Sequence, residues 1–105
     1  MYRCLLIGDA DTAAAFALAG VLVRTPASQG EAGTIFRDAL GDPETAVLVI
    51  TERFAAGLAD EINLHRQGGH IPFVIEIPEN LSGTFGGRSL MESIRSAIGI
   101  SIQSD

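Results

Sequence analysis

Residues 4–12, Cys-Leu-Leu-Ile-Gly-Asp-Ala-Asp-Thr, set the terms for the whole chain: an apolar run stops at Gly8 and gives way to two acids and an alanine-rich stretch. A strand that is apolar at every position is covered on both faces. When it ends in a glycine and a helix cap, it reads as a buried parallel strand turning into a helix at the carboxyl edge of a sheet. The turn is acidic, and this narrows its chemistry. A phosphate-binding turn offers backbone N–H groups and neutral or basic side chains to an anion, whereas Asp9 and Asp11 repel one.

The same grammar recurs along the chain. The first strand spans about residues 2–7. A helix follows over 12–18, with Asp9 or Asp11 as its N-cap, Gly20 near its end, and alanines that permit close approach to a sheet. Val21–Val23 forms a short second strand before a small polar loop over 25–30. A helix over 31–40 places Ala32, Ile35, Phe36, Ala39 and Leu40 on one face and stops at Gly41-Asp42-Pro43. Residues 46–50, Ala-Val-Leu-Val-Ile, form a continuous apolar strand. Thr51 then caps a third helix in which Phe54, Leu58 and Ile62 recur every four residues, ended by Gly68-Gly69. Residues 71–78 give the fourth strand, with prolines at its ends as strand rules require. This pattern predicts an α/β fold of the doubly wound, Rossmann-like or receiver-like kind: a four-stranded parallel sheet of order 2-1-3-4 flanked by helices. Leu5, Ile7, Val47, Val49, Val74 and Ile75 are its expected core.

The chain divides into a sheet unit over 1–78, a connector over 79–87 and a C-terminal segment over 88–105. The connector holds Asn80, Gly83, Gly86 and Gly87, four breakers in a short span. Beyond it, Leu90, Ile94, Ala97 and Ile98 fall at the spacing of an amphipathic helix, with Arg88, Glu92 and Arg95 on other faces. A packed helix usually follows its strand by a short loop, so the glycine-rich connector favours a tethered helix that docks on a partner over one folded back on the sheet. The stripe Leu90, Ile94 and Ile98 is the natural anchor.

Composition removes several function classes. At 105 residues this is one domain, large enough for a core without disulfides or metals. The single cysteine lies in an apolar strand, which fits a reducing cytoplasm. A net charge of −6 argues against nucleic acid, which requires a basic face. The apolar windows are too short to insert into a membrane. There is no P-loop, no Gly-x-Gly-x-x-Gly, no Gly-x-Ser-x-Gly and no Cys-x-x-Cys. His65 and His70 lack a further metal ligand at a useful spacing, so no metal, cofactor or catalytic residue is expected. Asp9 and Asp11 invite comparison with receiver domains. Those also need an Asp where the third strand here ends Ile50-Thr51-Glu52, and a Lys after a later strand, where residues 72–78 hold none. Helix capping is the leading role for the two acids, with contact to a basic partner as the competitor.

Taken together, several segments resemble the F subunit of the rotary V-type ATPases, A-type in archaea, in its bacterial or archaeal branch. These are Ile7-Gly8-Asp9-Ala10-Asp11-Thr12 with Phe16–Val21, Val47–Glu52, Ile71–Pro78, and Ile94-Arg95-Ser96-Ala97-Ile98-Gly99. The resemblance implies a non-catalytic component of the central rotor stalk, cytoplasmic and peripheral to the membrane. Such a component clasps the coiled-coil D subunit, extends a mobile C-terminal helix toward the catalytic head, and tunes the coupling of ATP turnover to ion transport. The expected partner-binding residues are Arg88, Leu90, Ile94, Arg95, Ile98, Asp9 and Asp11. Two other readings compete. One is a receiver-like adaptor without its phosphoacceptor. The other is a small enzyme in which Asp9, Thr51 and Glu52 converge at the carboxyl edge of the sheet, in a pocket with a perturbed carboxylate.

Overall fold

The computed structural model describes residues 2–79. Over that span the chain runs β1 (Arg3–Ile7), α1 (Ala10–Leu18), β2 (Leu22–Arg24), α2 (Gln29–Leu40), β3 (Thr45–Thr51), α3 (Glu52–Ala56), α4 (Ala59–Gly68) and β4 (Phe73–Ile77). The four strands form one parallel sheet of order β2-β1-β3-β4, as the alternation of apolar runs and helical stretches requires.

Local chemistry starts the helices where it should. Asp9 is the N-cap of α1, and its carboxylate accepts from the Thr12 N–H at 3.1 Å and the Thr12 hydroxyl at 2.7 Å. Ser28 caps α2 by accepting from the Glu31 N–H, and Glu31 reaches back to the Ala27 N–H at 3.1 Å. Gly20 and Gly69 follow α1 and α4 at positive φ, the left-handed conformation in which glycine closes a helix without strain. Replacing Asp9 by alanine is expected to cost about 1 kcal/mol in urea unfolding, and Asp9→Asn far less, since asparagine caps nearly as well.

The two faces of the sheet are dressed unequally. On one, Ile7, Leu48, Ile50 and Val74 pack against Ala32, Ile35 and Phe36 of α2 and Ile62 of α4, with Leu58 between α3 and α4. A two-pronged pair, Arg37 to Glu61 at 2.8 and 2.9 Å, ties α2 to α4. On the other face, Leu6, Val49 and Ile77 pack with Ala13 and Phe16 of α1. Ile7, Val49 and Val74 are buried as expected, whereas Leu5, Val47 and Ile75 are only half-buried. All three sit where helix cover on their face runs out.

The third helix differs from expectation. It breaks at Gly57–Leu58 into α3 and α4, with Leu58 at φ −122° and ψ 17°. The break falls at a glycine, and Gln29 occupies it: its side-chain amide donates to the Phe54 carbonyl at 2.9 Å and fills the space beside Gly57, where a Cβ would collide with it. The four-residue spacing survives because Leu58 and Ile62 both stay buried across the break. Thr51 occupies the N-cap position of α3, but its side chain makes no capping bond.

Candidate partner-binding surfaces

At the carboxyl edge, Gly8 and Thr51 end the two central strands, the point where strand order reverses and ligands of open α/β sheets usually bind. Here it is filled by protein. A Cβ on Gly8 would lie 2.7 Å from Thr51 Cγ2, so only glycine fits against that methyl. Asp9 is committed to Thr12, Asp11 and Glu52 are exposed, and Thr51 is fully buried with an unpartnered hydroxyl. Asp9, Thr51 and Glu52 share the edge but face different surroundings and form no catalytic set. Among the described residues no three His, Cys, Asp or Glu side chains group to hold a metal ion.

Two carboxylates among the described residues are shifted, both downward: Glu61 through Arg37, and Asp42, which lies at the opposite edge. Arg3 Nη2 bonds Asp42 Oδ2 at 2.9 Å, while the Glu44 N–H and the Thr45 hydroxyl also donate to Asp42, at 3.0 Å each. These donors, Arg3 first, hold the Asp42 pKa down to about 2 from 3.8. Asp42 borders a groove of about 210 Å³ floored by Leu5, Leu22, Ile35 and Ala39. A carboxylate held ionised by an ion pair is a structural tie, not a general acid. Because the folded pKa is the lower one, the stabilisation is fully present above the ordinary pKa near 4 and lost as pH falls toward 2. Melts of the native protein and Asp42→Asn are therefore expected to differ most above pH 4 and to converge near pH 2.

The apolar surface of interest is half a sheet face. Register aligns Cys4 with Val47 and Val47 with Phe73, then Leu6 with Val49 and Val49 with Ile75. Alternation puts all six on the face carrying α1. That helix lies mainly against β1 and β2, and its Ala13 and Phe16 still pack with Val49 and Ile77, so its cover thins toward Val47, Phe73 and Ile75. There Phe73 is 68% exposed, while Val47, Ile75 and Cys4 are half-buried. Burial pushes the Cys4 thiol pKa up, which suits an apolar role and not a nucleophilic one.

The outer side of β4 is closed differently. The carbonyls of Pro72 and Val74, two residues apart and so on the same side of the strand, meet His65 Nε2 at 2.8 Å and Arg66 Nη2 at 2.8 Å. A carbonyl only accepts, so His65 carries its proton on Nε2. His65 is thus a half-buried edge guard. His70 is exposed.

Of the expected partner-binding residues, Asp9 and Asp11 lie together at the start of α1. Arg88, Leu90, Ile94, Arg95 and Ile98 lie outside the described residues, as do the glycines of the expected connector. The half-covered sheet face was missed in the sequence. Its signal was there in the alternation of Phe73, Ile75 and Ile77, with only one helix available for that side.

No described helix is long and apolar enough to cross a membrane. The family model of the ATP synthase (F/14-kDa) subunit matches residues 5–98. The chain is 28% identical over 108 positions to the A-type ATP synthase F subunit of Pyrococcus abyssi, covering 96% of this chain and 98% of that protein. It is 27% identical to the corresponding protein of Thermococcus onnurineus and 25% to that of Thermococcus kodakarensis, at the same coverage.

Proposed function

The chain belongs to the family of the ATP synthase (F/14-kDa) subunit, and from that premise we propose that it is a non-catalytic component of a central rotor stalk. It binds the coiled-coil D subunit and tunes the coupling of ATP turnover to ion transport through its C-terminal segment. The observation that carries the proposal is the match across residues 5–98, nearly the whole chain, on a sheet whose first carboxyl-edge turn is acidic, with Asp9 capping α1.

The geometry supports a two-position segment. Taken as a helix, residues 88–98 would be about 16 Å long at 1.5 Å per residue. The five residues of β4 span about 17 Å. The stripe Leu90, Ile94 and Ile98 therefore matches in length the apolar side of β4, where Phe73 is exposed, Ile75 is half-buried and Ile77 is already packed beside α1. Each such side chain contributes on the order of 1.5–3 kcal/mol when fully buried, before ordering costs. That is enough to hold a helix on the sheet and little enough for a partner to displace it. In this reading the segment exchanges between the sheet face and the catalytic head, with Arg88 and Arg95 flanking the stripe in contact with acidic groups, and Asp9 and Asp11 facing basic ones.

Calorimetry with the D subunit and with ATP separates this reading from its rivals. The chain is expected to bind D and to show no heat with nucleotide. Micromolar ATP binding abolished by Asp9→Ala, or no affinity for D, would overturn it.

A further inference from the structure

α3 begins without a cap of its own. Thr51 stands at the right position, but its methyl is wedged against Gly8 and its hydroxyl is buried without a partner. The cap arrives from 26 residues downstream: Glu79 Oε1 accepts the Arg53 N–H at 2.7 Å, and Oε2 is buried beside it with no hydrogen-bond partner. A carboxylate on a first-turn N–H is short, charge-assisted and favoured by the local dipole. Two further features make this contact matter. Pro78 precedes Glu79 and fixes φ, so the two residues after β4 are both constrained. α3 has only five residues and ends against Gln29; Phe54 and Ala55 pack it on the core, and Glu79 is the side chain that closes its N-terminal N–H groups.

We propose that Glu79 is a clasp that fixes the direction in which the polypeptide leaves the sheet, making the departure point a rigid joint where a free linker would be a swivel. The sequence alone assigns Glu79 to the connector, yet its side chain is fastened to the sheet unit. The purpose of the clasp rests on the rotor reading above: with the root held at Glu79, the exchange of the segment between its two positions is confined to the residues beyond it. Glu79 is a positioning residue in this scheme and acts through α3.

Amide hydrogen exchange on the full chain, followed by NMR, tests the clasp directly. In Glu79→Ala the protection of the Arg53 amide is expected to fall about fivefold or more relative to Val49, the size of a lost cap. Glu79→Gln, which keeps an acceptor oxygen, restores most of that protection. Glu52→Gln, which removes a nearby charge without touching the bond, leaves it unchanged. Unchanged Arg53 protection in Glu79→Ala, or equal loss in Glu52→Gln, overturns the clasp. The second arm uses the assembled rotary complex, where Glu79→Ala is expected to lower coupling with affinity for D unchanged. Freed Arg53 exchange with normal coupling overturns the joint while leaving the rotor reading intact. A chain that never enters the complex overturns the rotor reading, and Arg53 exchange still decides the clasp.

Discussion

A chain lacking residues 88–105 is expected to fold, to melt cooperatively, and to bind the D subunit, yet to change the ATPase coupling of the assembled complex about fivefold or more, the usual scale of a coupling free energy between sites. Among the described residues, the two apolar clusters that hold the sheet unit together draw on positions from Cys4 to Ile77, and the deletion removes none of these. What it removes is the apolar stripe that matches the exposed Phe73 and half-buried Ile75 of β4. Ile94→Asp is expected to reproduce the coupling effect, because a carboxylate at the centre of that stripe carries a heavy desolvation cost on docking. Circular dichroism melts test the fold, and ATPase rates of assembled complexes test the coupling. An unfolded truncation would make the segment part of the core, and the two-position reading would fail.

The largest stability effect is expected at Phe36. It is fully buried under the sheet, among Ile7, Leu48 and Ile50. Phe36→Ala therefore forfeits the transfer energy of the ring and leaves a cavity, about 3–5 kcal/mol in all. Against a net stability of about 5–15 kcal/mol for a domain, that is a large fraction, and the urea midpoint is expected to drop sharply with the slope unchanged. Phe73→Ala is the contrast. Its ring is largely exposed, so stability is expected to shift by only about 0.5 kcal/mol. Equal losses for the two variants would contradict the burial pattern.

The fold was legible because parallel strands buried on both faces leave an unbroken apolar signature. Cys4–Ile7 and Ala46–Ile50 could be read directly, and strand order followed from the handedness of crossovers. The helix starts at Asp9 and near Ser28 were legible within a residue or two, because capping is a contact between near neighbours. The break after α3 was not, since the four-residue spacing of Phe54, Leu58 and Ile62 runs straight through Gly57, and the side chain that occupies the break, Gln29, lies 25 residues from the carbonyl it bonds. The same reason hid Glu79, which meets Arg53 across 26 positions. Periodicity reports which face of an element is covered. It does not report which distant polar side chain finishes a helix end. The candidate site was legible as an acidic turn unsuited to phosphate, and as an apolar stripe in the C-terminal segment. Which half of which sheet face stays bare is a matter of how far α1 reaches, and that is set by packing.

The guarded outer side of β4 has a consequence for self-association. Head-to-tail growth through strand addition needs a unit with two reactive sides, because each addition must regenerate the next one. With His65 and Arg66 occupying the Pro72 and Val74 carbonyls, strand addition is left to the β2 side, which offers three residues. In the language of polymer chemistry the sheet approaches a monofunctional monomer: a strand can cap its β2 side, while on the β4 side it must first displace His65 and Arg66 from the Pro72 and Val74 carbonyls.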